Sequence, residues 1–332
     1  MTSGLLPPGG GIAPAVAGDL PRTKGGARPG DRIFRALSVS AGVFVLVLIV
    51  AIACFLVYRA VPALGANTTS FLFERTWFPN GTPPVFGIAA LAFGTLLSSA
   101  LALLIAFPVA LGVALFISHY APRRFASPLG YVIDLLAAVP SVVYGLWGIY
   151  FLNPRIIDAS AFLEQHFGFI PLLQTAGAYG RSVFLAAVVL AIMILPIVAS
   201  LSREVFLQVP TANQEAALAL GATRWEMIRT AVLPFGRPGV IGATMLGLGR
   251  ALGETIAVAL VLSANFKISL HVLEPGGNTI AANIANGFGE ANAIGRGALI
   301  ASGLVLFAIT LVVNILARAV INRRREFSGD AG

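Results

Sequence analysis

The sequence is poor in cysteine, lysine and charge. Cys54 is the only cysteine among 332 residues, which excludes an internal disulfide and a metal site built on several cysteines. Lys24 and Lys267, the only lysines, are followed by glycine and isoleucine, so the chain contains no Gly-Lys-Ser/Thr phosphate-binding loop. Charged residues make up 11% of the chain and hydrophobic residues 57%. So little charge cannot cover a water-facing exterior, and the natural solvent of such a surface is lipid.

The few histidines and the positive net charge also exclude function classes. His119, His166 and His271 are scattered without metal-site spacing, so no metal ligands are predicted. A net charge of +8 is compatible with nucleic-acid binding, but the arginines lie at the ends of apolar runs and not along one exposed face. We therefore predict no nucleic-acid partner and a lipid bilayer as the surroundings of the chain.

Long apolar runs predict an all-α integral membrane protein with six transmembrane helices. A transmembrane helix needs about 20 apolar residues. The first run exceeds the roughly 7–15-residue core of a signal peptide, so an uncleaved helix is expected. Pro108 and Pro196 fall inside two runs, where other helices or a water-filled cavity can satisfy the freed backbone. The predicted spans are residues 33–61, 86–118, 128–152, 182–202, 240–264 and 298–321.

Basic residues are unevenly divided between the loops on the two sides. The side that contains both termini carries fifteen of them and the opposite side six. The positive-inside rule then places both termini in the cytoplasm of a multi-pass plasma-membrane protein. The Gly-, Pro- and Ala-rich segment 1–31 cannot build a core and is expected to be a disordered basic tail. The membrane domain is predicted at 32–325, with a short cytoplasmic tail at 326–332.

The cytoplasmic loop between spans four and five, residues 203–237, has its own helical pattern. Residues 214–220 are strong helix formers, Gly221 is a natural stop, and Thr223 is a natural cap for a second helix. Three apolar residues then recur at helical spacing: Trp225, Ile228 and Val232. The pattern predicts a short helix, a turn and a second short helix that present a firm surface to the cytoplasm.

This loop resembles the EAA motif of ABC-importer permeases. Glu215 is followed by two alanines, by a glycine six residues after it and by a closing Leu-Pro whose proline is nineteen residues after it. The motif often has Ile three residues before its proline, where this chain has Ala231. In that family the loop docks on the ATPase subunit, so the resemblance implies a type I, MetI-like permease core. The implied docking residues are Glu215, Ala216, Ala217, Gly221, Trp225 and Pro234. The alternative is an amphipathic interfacial helix that only caps the bundle.

Two further stretches of sequence restrict the resemblance to one family of ABC-importer permeases. Residues 135–148 and 247–255, with the Leu-Pro-Phe at 233–235, are similar to PstC, the permease family of phosphate importers. The likeness covers roughly residues 33–325. It implies a heterodimer with the sister permease PstA, a dimer of the ATPase PstB that binds ATP and Mg²⁺, and the phosphate-binding protein PstS outside. This chain would itself hold no cofactor and no catalytic residue.

Span five contains an arginine and a glutamate four residues apart. On a continuous helix Arg250 and Glu254 share one face. Arg250 would lie about 18 Å into its span, near the bilayer midplane, where an ion costs at least roughly 2.5–3.5 kcal/mol. A guanidinium suits a phosphate oxyanion. We predict that Arg250 lines the translocation path and that Glu254 holds it when phosphate is absent. A purely structural buried ion pair is the alternative.

Pro140 interrupts span three. It removes one backbone donor and frees a carbonyl one turn earlier. If the broken helix lines the translocation path, Ser141 and Tyr144 supply hydroxyl groups to it. The alternative is helix packing through small residues, here Gly145 and Gly148.

Other functions are compatible with parts of the sequence. A permease of the same fold for another oxyanion, sulfate or molybdate, would have the same coupling loop. An ion-gradient-driven secondary transporter needs no EAA loop and usually shows internal repeats with discontinuous helices in both halves. A membrane anchor gives no reason for an ion pair at mid-membrane. A stable complex with a P-loop ATPase would exclude the last two.

Overall fold

The computed structural model describes residues 29–175 and 178–329, and the side chains of these except 29, 123 and 320–329. Residues 1–28 of the predicted N-terminal tail therefore lie outside the described residues. The chain divides into two units, Met1–Ile52 and Ala53–Gly332, with the boundary inside the first helix.

The described part of the chain is almost entirely helical. In chain order the helices are α1 (Pro29–Ala66), α2 (Ala89–Leu115), α3 (Arg123–Ala137), α4 (Ser141–Trp147), α5 (Asn153–Phe167), α6 (Val183–Leu207), α7 (Thr211–Ala219), α8 (Arg224–Met227), α9 (Leu233–Gly253), α10 (Ile256–Val261), α11 (Ile280–Gly287) and α12 (Ala293–Gly329). Turns of π-helix follow α2, α4 and α8, at Phe116–Tyr120, Gly148–Leu152 and Ile228–Val232. A two-stranded antiparallel hairpin, β1 (Trp77–Phe78) with β2 (Val85–Phe86), precedes α2.

The all-α, polytopic fold predicted from the apolar runs is confirmed. Within residues 29–175 and 178–329, five helical segments are long and apolar enough to cross a membrane, and a sixth span results if one bent pair counts as a span. Spans one, two, four and six are continuous helices, and α2 and α6 run through Pro108 and Pro196 without a break.

Span three is interrupted at Pro140, as the sequence predicts, whereas span five differs from the continuous run predicted at 240–264. In span three the segments Arg124–Ala137 and Ser141–Phe167 meet at an angle of 88°, because Pro140 adopts an extended conformation before α4. In span five α9 ends at Gly253, Glu254 is extended (ψ 128°), and α10 begins at Ile256. Span three is therefore a broken helix, and the helical segment of spanning length in span five is Arg224–Gly253.

Helix α6 lies at the centre of the larger unit. It is the most buried of the candidate spans and packs on α2, α3 and α9. Two glycines allow the close approach of α9: a Cβ on Gly236 would meet the Phe206 ring at 2.9 Å, and one on Gly239 would overlap Val205. Three residues, Gln208–Pro210, join α6 to α7, so the central helix connects to the predicted coupling loop through a short turn.

Candidate functional site

The first helix of the coupling loop ends in a hydrogen-bonded turn at Gly221. The Gly221 N–H donates to the Leu218 carbonyl at 3.0 Å, and the Ala222 N–H donates to the Ala217 carbonyl at 3.2 Å. This is the Schellman pattern, in which the residue after the cap is left-handed. Gly221 has φ +85°, a conformation that only glycine adopts without a steric penalty. The predicted stop signal is thus confirmed.

The second helix begins with a reciprocal cap, as Thr223 predicts. The Thr223 hydroxyl accepts from the Glu226 N–H at 3.3 Å, and the Glu226 carboxylate accepts from the Thr223 N–H at 2.8 Å. Such a capping box satisfies two backbone donors that a helix start leaves free. The turn between α7 and α8 is therefore defined on both sides by local hydrogen bonds.

The second helix is not short, and in this the prediction is wrong. α8 continues through the π-helical turn into α9, so one helical segment runs from Arg224 to Gly253. Pro234 does not close the loop. Pro234 lies in the first turn of α9, directly after the π turn. The coupling loop is thereby joined directly to span five.

The coupling loop has an exposed side and a side packed on the bundle. Glu215 and Ala216 are exposed, as are Leu220 (90%) and Trp225 (55%). Ile228 is fully buried, in a cluster with residues of α2, α6 and α9 to which the partly buried Ala217 also belongs: Ala114, Leu115, Phe206, Val209, Met227, Val232 and Val240. Trp225 does not share this burial with Ile228 and Val232, although its spacing matches theirs. It lies in the first turn of α8, one turn away from the cluster.

Arg250 and Glu254 do not form the predicted pair. α9 ends between them, so they do not share a helix face. Glu254 is buried, at 9% exposure, and its Oε1 accepts the Ala257 N–H at 3.2 Å at the start of α10. The salt bridges among the described residues are Arg203–Glu204 and His271–Glu274. The carboxylate therefore satisfies a free helix N–H, and the predicted geometry of an ion pair is wrong.

Arg250 instead lies in the last turn of α9 and lines an open cleft of about 660 Å³ between α6, α9 and α12. A cation is favourable there because carbonyl dipoles point at it from the end of the helix.

Tyr144 bridges the break in span three. Its hydroxyl donates to the carbonyl of Leu136 at 2.8 Å. Leu136 lies four residues before Pro140, which has no N–H to offer that carbonyl. The carbonyl that loses its helical partner at Pro140 therefore accepts two other donors, the Tyr144 hydroxyl and the Val139 N–H at 3.3 Å. Ser141 follows the break at the first position of α4 and is partly buried.

Small-residue packing, the other interpretation of span three, also occurs. A Cβ on Gly145 would lie 2.9 Å from the Cα of Ala257, and one on Gly148 would lie 2.8 Å from a Val189 methyl. Gly145 thus seats α4 directly against α10, and Gly148 seats the π turn that follows α4 against α6. The two interpretations are not exclusive, because the glycines make these close contacts while Tyr144 crosses the break.

Sequence reasoning missed the contacts that join α3 to α6. The Arg203 guanidinium of α6 lies where Gly130 of α3 has no side chain. Ser200, one turn earlier, donates to the carboxylate of Asp134 at 2.5 Å. The sequence signals only a positive-inside charge at Arg203, because a pairing between two helices has no fixed spacing along the chain. Within the described residues no group of three or more His, Cys, Asp or Glu side chains is placed to hold a metal ion.

Known proteins resemble this chain over most of its length. Residues 109–326 match the family described as binding-protein-dependent transport system inner membrane component. The phosphate transport system permease protein PstC 2 of Mycobacterium tuberculosis is 47% identical over 300 residues, which cover 89% of this chain and 92% of that protein. The phosphate transport system permease protein PstC of Xylella fastidiosa is 42% identical over 304 residues, 90% of this chain and 93% of that protein.

One solved structure has a similar fold. The crystal structure of a bacterial ABC transporter involved in the import of the acidic polysaccharide alginate has a TM-score of 0.50 and 18% identity, covering 87% of this chain and 99% of that chain. The matched family and the named relatives make this chain an integral-membrane permease of a binding-protein-dependent importer, and the helical loop between spans four and five agrees with that class. The chain belongs to the binding-protein-dependent transport system inner membrane component family.

Proposed function

We propose that this chain is the permease subunit of an ATP-driven importer that carries inorganic phosphate into the cell. The observation that carries the proposal is the identity of 47% over 89% of the chain to a relative named for phosphate transport. The stretches at 135–148 and 247–255, which contain both helix breaks, support the same substrate. The chain itself is non-catalytic in this proposal, and a partner ATPase binds ATP and Mg²⁺.

The proposed assembly has a sister permease beside this chain, an ATPase dimer on the cytoplasmic side and a phosphate-binding protein outside. In the phosphate importers that this chain resembles, these partners are PstA, PstB and PstS, respectively. Both termini are cytoplasmic, as the bias of arginines supports. Exposed Glu215, Ala216, Leu220 and Trp225 form the surface offered to the ATPase. Apolar side chains with a carboxylate among them suit a groove on a partner better than open water.

Coupling between closure of the ATPase and movement of the membrane helices depends on the contacts that hold α7 against the bundle. Ala217 packs on the cluster around Ile228, and this cluster contains side chains of α2, α6 and α9. A displacement of α7 by a closing ATPase therefore reaches three helices of the bundle, because a close-packed cluster transmits strain. α9 carries that displacement to Arg250 and to the break before α10. Alternating access results if ATP binds one of the two states more tightly.

Uptake of radiolabelled phosphate into proteoliposomes that contain the whole complex and internal ATP tests this proposal. We expect uptake to require ATP, and Glu215→Arg to abolish uptake while the amount of assembled permease stays normal. The matched control is Glu290→Arg, which reverses an exposed charge near α12, outside the coupling loop. Uptake of sulfate or molybdate in place of phosphate would refute the substrate. Uptake driven by an ion gradient without ATP would refute the importer class.

A further inference from the structure

The cleft between α6, α9 and α12 contains a second arginine that the sequence analysis treats only as a flanking charge. Arg318 of α12 lines this cleft together with Arg250 of α9, and so does Asn314, one turn before Arg318 on the same helix face. The other lining residues are apolar or glycine. Among the described residues that line the cleft there is no carboxylate, so it holds two positive charges and no negative one.

These charges are not neutralised within the described part of the chain. Neither arginine takes part in a salt bridge with another described residue, and both side chains are exposed. Arg250 has the carbonyl end of α9 beside it, but Arg318 lies within α12 and has no helix end nearby. Two positive charges in one cleft repel each other, and a bound anion would remove that repulsion. The cleft is therefore a place where a bound anion is strongly stabilising.

The cleft also leaves room for a ligand against the backbone of α9. Gly242 and Gly249 both line it, and a Cβ built on either would meet no atom within 4 Å. Gly242 and Gly249 are two helical turns apart, so they lie on one face of α9 and expose its backbone to the cleft on the N-terminal side of Arg250. A volume of about 660 Å³ is far larger than a phosphate ion and leaves space for its water.

We propose that Arg250, Arg318 and Asn314 form a binding site for a tetrahedral dianion, and that Arg318 is a substrate-binding residue. Guanidinium groups offer planar, forked donors that match oxyanion edges, and the Asn314 amide adds a neutral donor. Two fixed positive charges favour a dianion over a monovalent anion. The identity of that dianion as hydrogenphosphate rests on the proposed function; the shared chemistry also fits sulfate.

Transport kinetics of the reconstituted complex test the role of Arg318. We expect Arg318→Gln to raise the KM for phosphate about tenfold or more with little change in the maximal rate. Arg318→Lys should recover only part of the affinity, because it keeps the charge but loses the forked donors. The matched control is Arg296→Gln, which removes an exposed arginine from the same helix outside the cleft. An unchanged KM in Arg318→Gln, or a KM no better in Arg318→Lys than in Arg318→Gln, would overturn the proposal.

A binding assay separates this proposal from the proposed function. In the complex with Cys54→Ser and Ala317→Cys, the new thiol lines the cleft, and its rate of modification by a charged thiol reagent reports access. We expect phosphate and sulfate to slow modification of the thiol, and nitrate at equal ionic strength to leave the rate unchanged. When Arg318→Gln is combined with these two substitutions, phosphate and sulfate should no longer slow the modification. A wild-type complex that moves no phosphate refutes the proposed function, while this assay still decides the site. Absence of protection by either dianion refutes the site.

Discussion

The turn at Gly221 gives the sharpest prediction about the coupling loop. Its φ of +85° lies in the left-handed region, and a Cβ built there would meet no atom within 4 Å. Replacement by alanine therefore adds backbone strain without any clash. The strain costs about 1–2 kcal/mol for an ordinary residue, which corresponds to a roughly 5–30-fold change in a local equilibrium.

The strain should appear where the turn is hydrogen-bonded. In Gly221→Ala we expect the Ala222 amide, bonded to the Ala217 carbonyl, to exchange with deuterium roughly 5–30-fold faster. Gly221→Asn should show a smaller effect, because asparagine tolerates the left-handed region. Gly112→Ala is the matched control, since Gly112 also has open space around it but lies within α2. Hydrogen–deuterium exchange with mass spectrometry on the complex measures all three.

Two results would contradict this reasoning. If alanine and asparagine at position 221 both leave exchange at the wild-type rate, the left-handed turn does not limit opening of α7. If Gly112→Ala speeds exchange in α7 as much as Gly221→Ala does, the effect is a general loss of stability. Under the proposed function, Gly221→Ala should also lower the phosphate transported per ATP hydrolysed, because α7 then transmits less of the ATPase displacement.

Three further predictions concern the helix breaks. Gly145→Val should destabilise the protein by about 1–3 kcal/mol, seen as a lower Tm in detergent, because a Cβ there lies 2.9 Å from the Ala257 Cα. Tyr144→Phe should cost about 0.5–1.5 kcal/mol and speed exchange around the break, because the Leu136 carbonyl loses its hydroxyl donor. Glu254→Ala should lower the Tm by the equivalent of about 0.5–2 kcal/mol, whereas Glu254→Gln keeps an oxygen for the Ala257 N–H and should stay near wild type.

Each of these has an outcome that would contradict it. A normal Tm for Gly145→Val would show that α4 is free to move away from α10. Unaltered exchange in Tyr144→Phe would show that the hydroxyl adds nothing to the break. If Glu254→Gln is as damaging as Glu254→Ala, the charge matters more than the acceptor oxygen, which would favour the ion-pair role that the sequence predicts.

The sequence alone determined the solvent of this protein, most of its helices and the turn of its coupling loop. Apolar runs of spanning length leave little choice but a helix, because the backbone must be satisfied internally in lipid. The stop at Gly221 and the cap at Thr223 are equally local: each depends on the conformational preference of one residue and on hydrogen bonds within four or five positions. Such features are readable from residue order because nothing distant takes part in them.

Tertiary structure decided where span five breaks and which charges meet. A spacing of four placed Arg250 and Glu254 on one face only on the assumption of a continuous helix, and Gly253, one of several glycines in α9, does not mark the end of that helix as Pro140 marks the break in span three. Arg250 and Arg318 are 68 positions apart in the sequence. They line one cleft because α9 and α12 pack together around α6. That proximity is a property of helix packing, and residue order along the chain carries no record of it.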